Sequence, residues 1–368
     1  MQLYNYPFTL FFMYLLMLFI PIIATSFFVT PSNDKSKIKY IEGLRGVACL
    51  SVFINHSAYL INDSGIINNI IDLSNYSLFG KSGALGVQIF FCITGFLFSN
   101  KILSPKENEF NSFFEKRINR LVPMYIFAST LVAIIYFSEN YALMSLERVA
   151  WQMSKIFGFG FFGSELYWGE KANASLNIVT WTLPYEWRFY AILPFIACVL
   201  KKRNELVLLI LFGAIIAYLD IRNGYAMWLY FVAGVFCGKT KLITVKNKVM
   251  KITLLVMAVL LFVISFFIDS GKFGFERFLI ISVLFLLLTI LKPSLLSTSS
   301  VVFIGKISYS MYLLHQPILY IVLKTFSQFH DPSTYTEYEL GLIAIISLSI
   351  TIYASNLTYK NIELRFMN

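Results

Sequence analysis

Arg45 and His56 stand inside one apolar run of the chain, the stretch IEGLRGVACLSVFINHSAYL over residues 41–60. A histidine titrates near neutrality and can take a proton from a hydroxyl. An arginine presents a fixed fork of donors that suits an anionic, phosphate-bearing group. Eleven positions amount to about three helical turns, so on a helix the two side chains share one face roughly 16 Å apart. A second apolar stretch, WTLPYEWRFYAILPF, carries Glu186 and Arg188, and a third, SYSMYLLHQPI, carries His315. The chain has only three histidines, and two of them fall in these runs. A carboxylate beside a histidine can orient it or hold its charged form. Together the residues suggest acid–base work within a membrane. Arg117 and Arg120, in FFEKRINRLVP, add positive charge on the Arg45 side.

The elements that must position these groups are membrane helices. Of 368 residues 58% are hydrophobic and only 14% charged, where a soluble domain carries about 25% charged residues. The expected class is an all-α, polytopic transmembrane bundle. Spans of about 20 apolar residues fall at 8–29, 41–61, 86–103, 121–139, 180–200, 205–221, 224–240, 250–269, 276–291, 303–324 and 338–358. This gives a ten-helix core over 40–368 and one additional N-terminal helix within 1–30, with no soluble domain. The longest loop, about 140–179, is rich in aromatics and glycine, and Tyr167 and Trp168 there suit either sugar stacking or packing. The four cysteines all sit in apolar runs and read as small buried hydrophobes, with no metal-ligand spacing. The net charge of +10 is not a nucleic-acid signature, because the basic residues sort by side of the membrane. With the N-terminus outside, 20 Lys and Arg lie on the inner side against 8 on the outer. The C-terminus is then cytoplasmic, Arg45 sits near the inner mouth, and His56, Glu186 and His315 fall from mid-membrane to the outer half.

Plainer readings stand beside these. Arg45 can snorkel to headgroups and pair with Glu42 three residues earlier. Lys116, Arg117 and Arg120 can serve as a positive-inside anchor. An intramembrane histidine can simply bond a neighbouring helix, and Glu186 can neutralise Arg188. A transporter or flippase of a glycan or proton-coupled solute is also compatible with many spans and intramembrane His, Glu and Arg. Against it, no inverted pair of broken hydrophobic segments is evident.

Five blocks in order resemble the acyltransferase 3 family of integral membrane acyltransferases. GLRGVACLSVFINH resembles its arginine, ten residues, histidine element, here Arg45 and His56. GALGVQIFFCITGFLFS is similar to a block ending in Ser-Gly-Phe-Leu, here Thr94 to Leu97. FFEKRINRLVPMY resembles its arginine-rich segment, with Arg117 and Arg120. WTLPYEWRFYAILP resembles its Trp and Glu block, with Trp181 and Glu186. IGKISYSMYLLHQPI resembles its Ser-Tyr and His block, with Tyr309 and His315. TYKNIELRF is similar to the closing segment at Glu363, although Leu364 and Arg365 follow where proline is frequent. Thr94 stands where serine is usual, keeping the hydroxyl, and Gln88 where aspartate is common, losing any charged role.

The resemblance implies transfer of an acyl group, acetyl from cytoplasmic acetyl-CoA, to a hydroxyl of a carbohydrate or lipid-linked glycan. O-antigen, capsule and exopolysaccharide units are such acceptors, in the cytoplasmic (inner) membrane of a bacterium. It implies that Arg45, with Arg117 and Arg120, holds the nucleotide end of CoA. His56 is then the general base on the acceptor hydroxyl or takes part in relaying the acyl group, with Glu186 orienting it or stabilising its charged form. Thr94, Trp181, Tyr309 and His315 line the site, the last two positioning the thioester carbonyl. It implies no metal. The esterase-like domain fused to some members is expected to be absent. Transfer of succinyl or a longer acyl group remains open.

Overall fold

The computed structural model describes residues 38–63, 77–103, 112–140, 145–168, 171–173, 176–200, 227–268 and 272–367, with isolated positions between them. The expected spans 8–29 and 205–221 fall outside the described residues except at such positions. Described secondary structure is almost wholly helical, in keeping with an all-α fold. That is the form in which an apolar segment satisfies every backbone N–H and C=O internally. In chain order the helices are α1 (Lys39–Asp63), α2 (Ser77–Leu103), α3 (Phe113–Asn140) and α4 (Leu146–Phe157). Then come α5 (Leu183–Leu200), α6 (Met227–Cys237), α7 (Lys248–Phe267), α8 (Phe275–Leu291), α9 (Ser299–Lys306), α10 (Ser308–Ser327) and α11 (Glu337–Thr358).

Among the described residues four helical stretches are long and apolar enough to cross a membrane: Phe79–Leu103, Phe113–Asn140, Lys248–Phe267 and Tyr338–Met367. Their burial sorts them. The first is 89% buried and forms the centre of the bundle, whereas Lys248–Phe267 is 17% buried and lies at its edge. Around α2 pack α1 on one side and α6, α5 and α8 on the others. α1 in turn packs on α9 and α10, and α10 on α11 and α3. Glycine sets the closest of these approaches. A Cβ at Gly95 of α2 would collide with the Phe231 carbonyl of α6, and one at Gly234 of α6 with the Cys92 carbonyl of α2. Such mutual contact of backbones is how small residues bring membrane helices together.

Several boundaries differ from the sequence expectation. α3 begins at Phe113, so Arg117 and Arg120 belong to the helix itself instead of preceding it. The span expected at 303–324 is two helices, α9 and α10, broken at Ile307. α5 is preceded by a 3-10 turn, Ile178–Thr182. α11 continues through a π-turn, Tyr359–Glu363, into a last turn Leu364–Met367. The long loop holds α4 and a small antiparallel ribbon, β1 (Leu166–Trp168) with β2 (Lys171–Asn173), in the register Leu166 to Asn173. The Tyr136 hydroxyl donates to the Tyr167 carbonyl, and the Lys155 ammonium lies 4.6 Å from the Tyr167 ring centre. Tyr167 is thus tied into its own loop.

Candidate active site

α1, α2, α3, α5 and α10 enclose a pocket whose empty volume, counted out to its open mouth, is about 790 Å³. Its polar wall comprises Arg45 from α1, Thr94 from α2, Arg117 and Arg120 from α3, Glu186 and Tyr190 from α5, and Ser308, Tyr309 and Tyr312 from α10. Six of the nine residues singled out from the sequence therefore meet here. Phe90, Phe91, Phe98 and Leu121 are among the apolar residues that complete it.

Arginine dominates the chemistry of this pocket. The guanidinium of Arg117 stands 4.7 Å from the Phe98 ring centre and 5.7 Å from that of Tyr190, so aromatic faces hold it in place of a carboxylate. The Nε atoms of Arg117 and Arg120 are both buried without a hydrogen-bond partner. Neither side chain makes an ion pair among the described residues. Arg45 does make the pair with Glu42 that its spacing allows, at 3.5 Å, while still facing the pocket. Buried donors left unmet are costly and mark a place for an acceptor. An anion with several oxygens fits three such forks.

Glu186 lies in the electrostatic field of Arg45, Arg117 and Arg120, and Tyr190, one turn along, donates to its Oε2 at 3.2 Å. The expected contact between Glu186 and His56 is not formed, nor is a pair between Glu186 and Arg188. The Arg188 guanidinium instead lies 5.8 Å from the Phe161 ring. The reason is rotational: Glu186 and Arg188 are two apart and point to different sides of α5. Tyr309 donates its phenol proton to the Leu121 carbonyl at 2.8 Å, and Thr94 donates to Phe90 of its own helix at 3.0 Å. Both oxygens remain available only as acceptors. Ser308 lines the pocket with its Oγ buried and unpartnered, a donor that sequence reasoning did not single out.

His56 and His315 form a second cluster, with ring centres 5.3 Å apart. They do not line the arginine pocket. Tyr312 connects the two regions: it belongs to the pocket wall, its ring lies 6.2 Å from that of His315, and its hydroxyl donates to the Val179 carbonyl at 2.9 Å. Thr182 joins the same hydroxyl at 2.8 Å. Trp181, expected to line the site, turns away from the pocket. Its ring packs against Tyr185 at 6.1 Å and Phe273 at 5.6 Å. Gln316 bonds His56 at 3.3 Å and was not singled out either. Nothing in its spacing distinguishes it from a helix-packing glutamine. Glu363, in the closing segment that departs from the family pattern, is 1% exposed, accepts from the Ser310 hydroxyl and lies in the field of Arg120 and Arg45.

Among the described residues no group of His, Cys, Asp and Glu is arranged to hold a metal. The bundle, its apolar exterior and its internal arginine and histidine clusters define a multi-pass membrane protein with a polar interior site. Residues 38–354 match the family model Acyl_transf_3, described as an acyltransferase domain, and the chain belongs to that family. A Staphylococcus aureus (strain COL) protein named "Putative O-acetyltransferase" is 27% identical over 90% of this chain and 58% of its own length. A Shigella phage Sf6 protein named O-acetyl transferase is 24% identical over 78% of this chain and 86% of its own. A Komagataeibacter xylinus protein whose name describes a membrane-bound transacylase is 28% identical over 50% of this chain and 44% of its own. The chain thus spans 58% of the length of its Staphylococcus relative. No solved structure gives a significant match.

Proposed function

We propose that this protein moves an acetyl group from cytoplasmic acetyl-CoA to a hydroxyl of a cell-envelope carbohydrate, in the cytoplasmic membrane of a bacterium. The carrying observation is a pair of buried, unpartnered arginine Nε atoms in a pocket whose wall residue Tyr312 lies beside a histidine pair. Arg45, Arg117 and Arg120 take the phosphates of CoA from the inner side. Glu186, held by Tyr190, spaces those three guanidinium groups and does not serve the histidine. His56 and His315 supply the acid–base groups for the acceptor hydroxyl, which arrives from the outer side on an O-antigen, capsule or exopolysaccharide unit. Family membership and the two relatives named for O-acetyl transfer support this reading.

The test is transfer from radiolabelled acetyl-CoA into the polysaccharide fraction of membrane vesicles, wild type against His56→Ala. Label is expected with wild type and at least about 100-fold less with the variant, the lower end of what a positioned acid–base group contributes. Wild type that fails to label a competent acceptor favours a glycan or proton-coupled carrier instead.

A further inference from the structure

The proposed acyl transfer leaves open which histidine receives the proton, and the hydrogen bonds around the pair decide it. His315 Nδ1 lies 3.1 Å from the Met311 carbonyl oxygen. A carbonyl only accepts, so Nδ1 carries the hydrogen and the neutral ring leaves Nε2 bare. That Nε2 is buried, on a side chain 1% exposed, and has no hydrogen-bond partner. The partnering of His56 is the opposite. The backbone N–H of Val179 donates to Gln316 Oε1 at 3.4 Å, which turns the Gln316 amide nitrogen toward His56 Nδ1 at 3.3 Å. An amide nitrogen only donates, so His56 Nδ1 is an acceptor already in use and its hydrogen sits on Nε2. Neutral His56 then has a donor to offer and no free lone pair.

We infer that, within the acyl transfer proposed above, His315 Nε2 receives the hydroxyl proton while His56 Nε2–H donates to the thioester carbonyl oxygen, with Gln316 as the positioning residue that sets this division. The roles are the reverse of those expected from the sequence. In the step, the acceptor oxygen bonds the carbonyl carbon as its proton passes to His315 Nε2. The carbonyl oxygen gains negative charge, which the His56 N–H stabilises. Collapse breaks the carbon–sulfur bond, and the proton on His315 Nε2 goes to the leaving sulfur, giving CoA thiol and the ester. The Met311 carbonyl holds the transient imidazolium through Nδ1–H.

The experiment is nitrogen NMR of the full-length protein, 15N-labelled at histidine, in lipid nanodiscs. With three histidines the signals are assignable by His330→Gln and by the site variants themselves. Expected are a bare Nδ1 on His56 and a bare Nε2 on His315. Gln316→Glu should move the His56 hydrogen to Nδ1, because a carboxylate accepts where the amide donated. In the vesicle assay His315→Gln should lose about 100-fold or more in transfer. His56→Gln keeps an N–H donor and should stay within about tenfold of wild type, whereas His56→Ala should not. Wild-type His56 with a bare Nε2 overturns the inference even if no variant folds. So does a His315→Gln enzyme at wild-type rate alongside an inactive His56→Gln, and the acyl-transfer reading would survive that result. Wild type that transfers no label, with both tautomers as assigned, removes the transfer reading and both histidine roles while leaving Gln316's effect on His56 intact.

Discussion

Arg117 shows how a charge is kept in an apolar bundle before its ligand arrives. Three ring faces surround its guanidinium, those of Phe98, Tyr190 and Phe113. Aromatic faces stabilise a cation without occupying its hydrogen-bond donors. Replacing Arg117 or Arg120 by Ala should raise the KM for acetyl-CoA about tenfold or more, the effect of losing ~1.4 kcal/mol of phosphate contact, with kcat changed less. Steady-state kinetics in vesicles reads this directly. Gln88 shows the other solution to the same problem. Its carbonyl accepts from Nε of the fully buried Arg277 at 3.2 Å, and its amide donates to the Lys272 carbonyl at 2.8 Å. The uncharged residue thus keeps the polar link that an aspartate would make, by using both ends of the amide. Gln88→Leu should cost ~1.5–3 kcal/mol, as removal of a hydrogen bond to a buried charge does, seen as a lowered unfolding temperature in detergent. At this scale the residue types are legible in the sequence and their partners are not. Arg45 announces itself as a charge in an apolar run, and Arg117 and Arg120 as positive charge on the same side. For Glu186 the sequence suggests the wrong neighbour, because depth along a span says nothing of rotation around it. Tyr190, four residues on, is the partner the helix period offers.

The crossing of α2 and α6 illustrates what helices contribute. Gly95 and Gly234 each rest on the other helix's backbone, so no side chain sets the separation there. Thr94 and Leu97 of the pocket wall flank this point on α2. Gly95→Val should push α2 off α6, destabilise the fold by ~1–3 kcal/mol as overpacking does, and displace that wall. Thermal unfolding and the acetyl-CoA KM should therefore worsen together. Element existence is legible from hydrophobic runs, and the start of α1 and the extent of α7 and α8 follow the expected spans to within two residues. The break at Ile307 is not legible, since residues 303–324 read as one span. What interrupts them is tertiary: α9 lies flush on α1, where a Cβ at Gly305 would strike the Glu42 carbonyl. That packing holds α9, and beyond the break α10 carries Ser308 and Tyr309 to the pocket.

For the molecule as a whole the charge distribution predicts an orientation. Lys241 of the Gly238–Leu242 turn reaches Ser99 at 2.9 Å, next to the Phe98 whose ring holds Arg117, so basic residues of that turn and of α3 meet at the end of α2 that carries the arginine pocket. α4, packed on α3, and the β-ribbon, packed on α4, belong to the loop expected on the outer side. Impermeant maleimide added to intact cells should label a cysteine placed at Glu147 and should leave one at Lys246 unlabelled until the membrane is opened. The reverse pattern would invert the route proposed for acetyl-CoA. Cys49, Cys92 and Cys237 are buried and should contribute little background. Bundle class is legible from composition alone. The enclosing of a pocket by five helices is not, because it depends on which faces meet, and membrane helices of nearly uniform apolarity carry little record of that.

The π-turn at Tyr359–Glu363 makes the facing of the chain's last turns a matter of counting. A π-turn is an α-helix that has taken up one surplus residue, and one residue is worth about 100° of rotation. Glu363 meets the Ser310 hydroxyl only in the advanced phase. Deleting Asn361 alone, with every acidic residue intact, should therefore remove that carboxylate from Ser310 as effectively as Glu363→Gln does. The carboxylate's place is encoded in the number of residues before it as much as in its identity.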